Sequence, residues 1–66
     1  MKNRIRVARA EVRMTQQQLA DAACVSRQTI NAIESGKFVP STVLALKIAS
    51  VFGVKVEDIF QLEEGD

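Results

Sequence analysis

Residues Thr15 to Gly36, TQQQLADAACVSRQTINAIESG, read as two short helices joined by a tight turn, and this pairing constrains the fold more than any other segment. The Thr15 hydroxyl can accept a backbone N–H at the start of the first of these helices, and Gln18 can return the bond in a capping box. Leu19, Ala20 and Ala23 then share its inner face. Ser26 is the next N-cap, and Val25, Ile30 and Ile33 are spaced to lie against the preceding helix and the rest of the core. Gly36 suits a left-handed C-cap. At about 100° per residue, Gln28, Asn31, Ala32 and Ser35 fall on the side opposite Ile30 and Ile33, with Arg27 at the N-terminal flank. Folding does not require that polar set, so it points outward to another molecule, and DNA is the first candidate.

The rest of the chain reads as helical too. Helices are expected at roughly Lys2 to Arg13, Gln16 to Ala23, Arg27 to Ser35, Thr42 to Phe52 and Glu57 to Phe60, with short connections throughout. Ser41 caps the fourth, after Pro40, and Gly53 ends it. Gln61 to Glu64 reads as extended, a short C-terminal strand that pairs with the first few residues. The expected fold is therefore all-α, a single five-helix domain over residues 1–66 with the helix-turn-helix at 15–36.

A hydrophobic fraction of 47% argues against disorder. A chain of 66 residues builds one small core, which a partner subunit would help to stabilise. Neither an apolar run of about 18 residues nor a charged-then-apolar leader is present, so the expected location is the cytoplasm, without a membrane partner. One cysteine and no histidine leave no internal disulfide and too few ligands for a zinc site. No nucleophile and base pair up in the sequence, so the chain is not expected to be an enzyme or to need a cofactor.

Net charge is only +1, but it is unevenly spread. Residues 1–37 carry Lys2, Arg4, Arg6, Arg9, Arg13, Arg27 and Lys37 against Glu11, Asp21 and Glu34; the remainder has Lys47 and Lys55 against Glu57, Asp58, Glu63, Glu64 and Asp66. A polyanion is thus attracted to one side and repelled from the other. Alone, these are ordinary solvated charges; beside the helix pair they favour DNA.

The runs LADAACVSRQTINAIESGKFVPS and LALKIASVFGVKVEDIF resemble the phage-repressor (Cro/CI, XRE) helix-turn-helix family across nearly the whole chain. The resemblance implies a lambda-repressor-like domain whose third helix enters the major groove, with two subunits reading two half-sites of double-stranded DNA. Carried over by position, it implies that Gln16 holds a phosphate and braces the reading helix, and that Arg27 and Gln28 reach bases. An Arg pairs with guanine O6 and N7 and a Gln with adenine N6 and N7, although Arg27 suits a phosphate equally well. Asn31 and Ala32 follow on the same side, Ala32 leaving room for a thymine methyl. Thr29, Ser35, Lys37 and Arg13 are candidate phosphate contacts.

Lys2, Arg6, Arg9 and Arg13 form a basic stripe beside Ile5, Ala8 and Val12, which invites a phosphate reading for all four. Glu34, however, stands one turn past Ile30 on the inner side of its helix. The family's pattern pairs such Arg and Glu positions, so Arg9 and Glu34 are expected to form a partly buried ion pair. Cys24 departs from the family, standing in the turn where glycine is usual. With no second cysteine to resolve it, Cys24 is read as a turn residue rather than a redox switch. Met14 reads as a core filler.

On the fourth helix Leu44, Ala45, Ile48, Ala49 and Phe52 supply the inward face, which leaves Val43 and Leu46 outside. Together with Val54, Val56, Phe60 and Leu62 they form the expected homodimer interface, within a segment at about 43–64; the alternative for several residues of this tail, Ile59 especially, is that they close the monomer's own core. Symmetry would then set the reading helices about 34 Å apart on a pseudo-palindromic operator. The function expected is a homodimeric repressor, with regulation by a partner protein, protein concentration or operator arrangement. Two alternatives stand beside it. One is an antitoxin-type autoregulator; the other is a protein-interaction module without DNA binding, against which Arg27, Gln28 and Asn31 speak.

Overall fold

In the computed structural model, which describes residues 1–66, five helices are flanked by a two-residue strand at either end. The order is β1 (Lys2–Asn3), α1 (Ile5–Glu11), α2 (Gln16–Ala23), α3 (Arg27–Glu34), α4 (Thr42–Phe52), α5 (Val56–Ile59) and β2 (Phe60–Gln61). The strands pair antiparallel, Lys2 opposite Gln61 and Asn3 opposite Phe60.

The pairing moves three expected boundaries. The first helix starts at Ile5 rather than Lys2 because Lys2 and Asn3 belong to the strand and the Arg4 N–H is drawn to the Ile59 carbonyl at 2.8 Å. Asn3 Oδ1 accepts the Ile5 N–H at 3.2 Å, doing the work of the missing Arg4 cap. The fifth helix runs from Val56 to Ile59, because Phe60 is already extended. The C-terminal strand consequently occupies Phe60–Gln61 instead of Gln61 to Glu64.

Local chemistry accounts for the other ends. The Gln18 N–H donates to Thr15 Oγ1 at 3.0 Å and the Thr15 N–H to Gln18 Oε1 at 2.8 Å, a complete capping box. Ser26 and Ser41 cap α3 and α4 by accepting the N–H groups of Thr29 and Leu44. Gly53, at φ 67, closes α4 in the left-handed region. The third helix stops at Glu34, with Ser35 as its C-cap and Gly36 beyond it at φ 80. The first helix stops at Glu11, short of the expected Arg13, because Arg13 turns left-handed at φ 55.

Cys24 ends α2 at φ 60, a conformation that strains any residue with a Cβ. Cys24→Gly should therefore stabilise the fold by about 0.5–1 kcal/mol, the relieved strain less the added freedom of the unfolded chain. Thermal melting checks this: a rise of a few degrees is expected, and an unchanged or lower Tm would show the turn to be unstrained.

The core draws on all five helices and on β2: Ile5, Leu19, Ala20, Ala23, Ile30, Ile33, Ile48, Ile59 and Phe60 form one buried cluster. Each large member contributes roughly 1.5–3 kcal/mol by leaving water. Phe60 is 8% exposed, so its ring serves this chain's own core and not a dimer interface. Val56 is likewise packed partly against the cluster, as is Met14. Val54 lines a surface groove of about 450 Å³ with Val7, Val12 and Phe52, between α1 and the end of α4.

Candidate nucleic-acid interface

The two halves of the helix-turn-helix pack directly on each other, α2 against α3, with α4 behind α2. Ile30 and Ile33 anchor α3 in the core, which turns Arg27, Gln28, Asn31 and Ser35 fully outward and leaves Thr29 and Ala32 half-buried at the edges. The four residues singled out for bases thus share one outer arc, with Ala32 at its rim.

Behind that arc sits one charged group. The Glu34 side chain is 1% exposed and faces α1, where Arg9, 15% exposed, donates Nε to Oε2 at 2.7 Å and a terminal N–H to Oε1 at 3.1 Å. The contact is two-pronged, the strong geometry for a guanidinium and a carboxylate. Arg9 also donates to the Met14 carbonyl at 2.9 Å, tying the end of α1 to the same point. Arg6 adds a third prong, its Nε 3.7 Å from Glu34 Oε1. Arg9 is therefore the member of the basic stripe committed to Glu34, while Arg6 stays largely in solvent beside it. Burial pushes the Glu34 carboxyl up, but the hydrogen bonds from Arg9 and Gln16 and the charges of Arg9 and Arg6 outweigh it, holding the group below its ordinary value.

Gln16 links this buried pair to the outer arc. Its amide Nε2 donates to Glu34 Oε1 at 3.3 Å and to Asn31 Oδ1 at 3.1 Å. Of the other candidate phosphate contacts, Ser35 donates its hydroxyl to the Ala32 carbonyl at 3.1 Å, and the Thr29 hydroxyl is paired with that of Ser26 at 2.9 Å. Arg13 and Lys37 are exposed and form no ion pair within the chain, as is true of Arg27 on the arc itself.

Sequence reasoning missed Asn3, whose Nδ2 donates to the Ile33 carbonyl at 2.8 Å and ties β1 to the end of α3. An asparagine in a two-residue strand gives no periodic signal. It also missed how far the exposed apolar surface extends: besides Val43 and Leu46, it includes Phe38 and Val39 in the loop that follows α3 directly. Leu62 is exposed as well. The side chains bring together no group of three or more His, Cys, Asp or Glu that could hold a metal, and no helix is long and apolar enough to cross a membrane.

A capped helix pair that presents one polar outer arc, in a frame of five helices, defines a helix-turn-helix DNA-binding domain. The chain belongs to the Cro/CI-type (XRE) helix-turn-helix family of transcriptional regulators: a family model described as helix-turn-helix matches residues 5–59, the whole run from α1 to α5. It is 54% identical over 66 residues to an uncharacterized HTH-type transcriptional regulator of Methanocaldococcus jannaschii, covering all of both chains. It is 48% identical over 64 residues to the uncharacterized HTH-type transcriptional regulator YgzD of Bacillus subtilis, covering 97% of each. Among solved structures, the clp gene regulator ClgR of Corynebacterium glutamicum superposes with a TM-score of 0.77 at 30% identity, over 82% of this chain and 57% of that one.

Proposed function

We propose that this protein is a sequence-specific repressor that binds a pseudo-palindromic operator as a homodimer, with α3 of each subunit in the major groove. The observation that carries the reading is the outer arc of α3. Three side chains able to pair with base edges, Arg27, Gln28 and Asn31, stand exposed on a helix whose opposite side is locked into the core. Gln28, in the first turn, is the leading base reader, with adenine as its natural partner. Arg27 contacts a guanine or a phosphate, and Ala32 admits a thymine methyl. Lys37 and Arg13, as exposed and unpaired cations, are the phosphate contacts of first choice, each contributing about 0.9 to the logarithmic salt slope. Thr29 and Ser35 join them if their hydroxyls turn away from their present partners.

The dimer rests on Val43, Leu46 and Leu62, joined by Phe38 and Val39, which lie next to the end of the reading helix in sequence. Occupying an operator in this way blocks polymerase without an effector. Selection of sites from a random duplex library, with wild type and Gln28→Ala in parallel at fixed near-physiological salt, tests the reading. A pseudo-palindrome is expected, whose consensus relaxes at one base per half-site in the variant. If no motif is enriched, the assignment of α3 as a reader falls.

A further inference from the structure

We infer that Gln16 is a specificity-positioning residue, polarised by the buried Glu34 carboxylate, which turns Asn31 so that its amide N–H₂ faces the base edges. The inference rests on the proposal that α3 reads DNA and deepens it at one position.

The argument is one of donors and acceptors. The Glu34 carboxylate, held ionised by Arg9 and Arg6, can only accept hydrogen bonds. The Gln16 amide group 3.3 Å from it must therefore be the N–H₂ end, which removes the usual ambiguity between amide nitrogen and oxygen. An amide nitrogen carries two hydrogens; one goes to Glu34 and the other points at Asn31, 3.1 Å away. Asn31 must meet that hydrogen with its carbonyl oxygen. Its own N–H₂ is then left outward, exposed and without a partner in the chain. A single carboxylate in the core thus fixes the polarity of two successive side chains and ends at the reading surface.

Two consequences follow. Asn31 presents donors, so the base it meets must offer an acceptor in the major groove. Guanine N7 and O6, adenine N7 and thymine O4 qualify, whereas cytosine presents only its N4 donor, which the outward N–H₂ cannot meet, and is disfavoured. The Gln16 side chain, for its part, has no hydrogen left for a phosphate, which also accepts only. A phosphate contact from that side chain would require breaking its bond to Glu34 or to Asn31, whereas the backbone N–H of Gln16, at the start of α2, stays free to donate. This departs from the role the family resemblance implies for Gln16.

Site selection with wild type, Asn31→Ala, Gln16→Ala and Gln16→Met decides the matter, the methionine variant keeping the side chain's bulk on the helix. Asn31→Ala identifies the base that Asn31 reads. The expected result is that both Gln16 variants relax that same base, cutting a preference against cytosine of roughly tenfold or more to within about threefold, while the other positions keep their preferences. A Gln16 variant that weakens binding equally on all sequences, with base preferences intact, would mark a phosphate contact and overturn the inference. So would unchanged binding, or a wild-type preference for cytosine at the Asn31 base. Absence of any wild-type motif would instead refute DNA reading itself, and the inference with it.

Discussion

Arg9→Ala is expected to cost about 3–5 kcal/mol of stability, because it leaves the Glu34 carboxylate buried at 1% exposure with only the solvent-facing Arg6, 3.7 Å away, for a counter-charge. A domain of this size has roughly 3–10 kcal/mol in total, so the variant should be largely or wholly unfolded at 37 °C. Glu34→Gln should be milder but clearly destabilising, since an amide turns donors toward Arg9 where a carboxylate accepted. An unchanged Tm for Glu34→Gln would sink the claim that the pair matters. A double variant, Arg9→Leu with Glu34→Met, should recover much of the loss of either single change, because well-packed apolar side chains replace a buried ion pair at little cost. The sign of the pH dependence follows from the same carboxyl. Its folded value lies below the ordinary 4.5, so its contribution is complete above that pH and is lost as the pH falls through the lower folded value. The stability gap between wild type and Glu34→Gln should therefore narrow on acidification below about pH 4.5, and denaturant titrations at pH 7, 4.5 and 3 measure it.

What could be read in the sequence is what short-range chemistry encodes. Thr15, Ser26 and Ser41 announce helix starts by residue type and spacing, and α2 and α4 end where Cys24 and Gly53 stand in the left-handed region. The arc of α3 follows from the spacing of Ile30 and Ile33 alone. The Arg9–Glu34 contact spans 25 residues, and only the placement of Glu34 toward the core, with the family pattern, makes it visible. The rest is non-local. Two-residue strands have no period, so the displacement of α1 to Ile5 depends on a partner at the far end of the chain. Phe60 illustrates the same limit: an aromatic near a terminus suits an interface or a core equally, and only the β1–β2 pairing decides that it goes inside. The link from Glu34 through Gln16 to Asn31 leaves α3 for α2 and returns to α3, and no spacing rule predicts a hydrogen bond's direction.

On the proposed homodimer, Leu46→Glu is expected to leave a monomer and to lower affinity for a full pseudo-palindrome by roughly 10² to 10⁴, the share that simultaneous engagement of two half-sites supplies. Leu46 and Val43 are 54% and 63% exposed on α4, so a charge there removes little from the fold of one subunit, and stability should move by no more than about 0.5 kcal/mol beyond what is lost with dimerisation. The effect on assembly is doubled by symmetry. In a two-fold interface one substitution appears on both faces, which places two carboxylates in the apolar surface that the proposed dimer buries. Sedimentation at micromolar concentration, with binding to full-site and half-site duplexes, separates the outcomes. Loss of the dimer with half-site binding intact is the expected result, because Arg27, Gln28 and Asn31 lie on a different helix from Leu46. A variant that remains dimeric and binds the full site as wild type does would move the interface off α4. The groove that Val54 shares with Val7 and Val12 would then be the next apolar surface to test, by Val54→Glu in the same two assays.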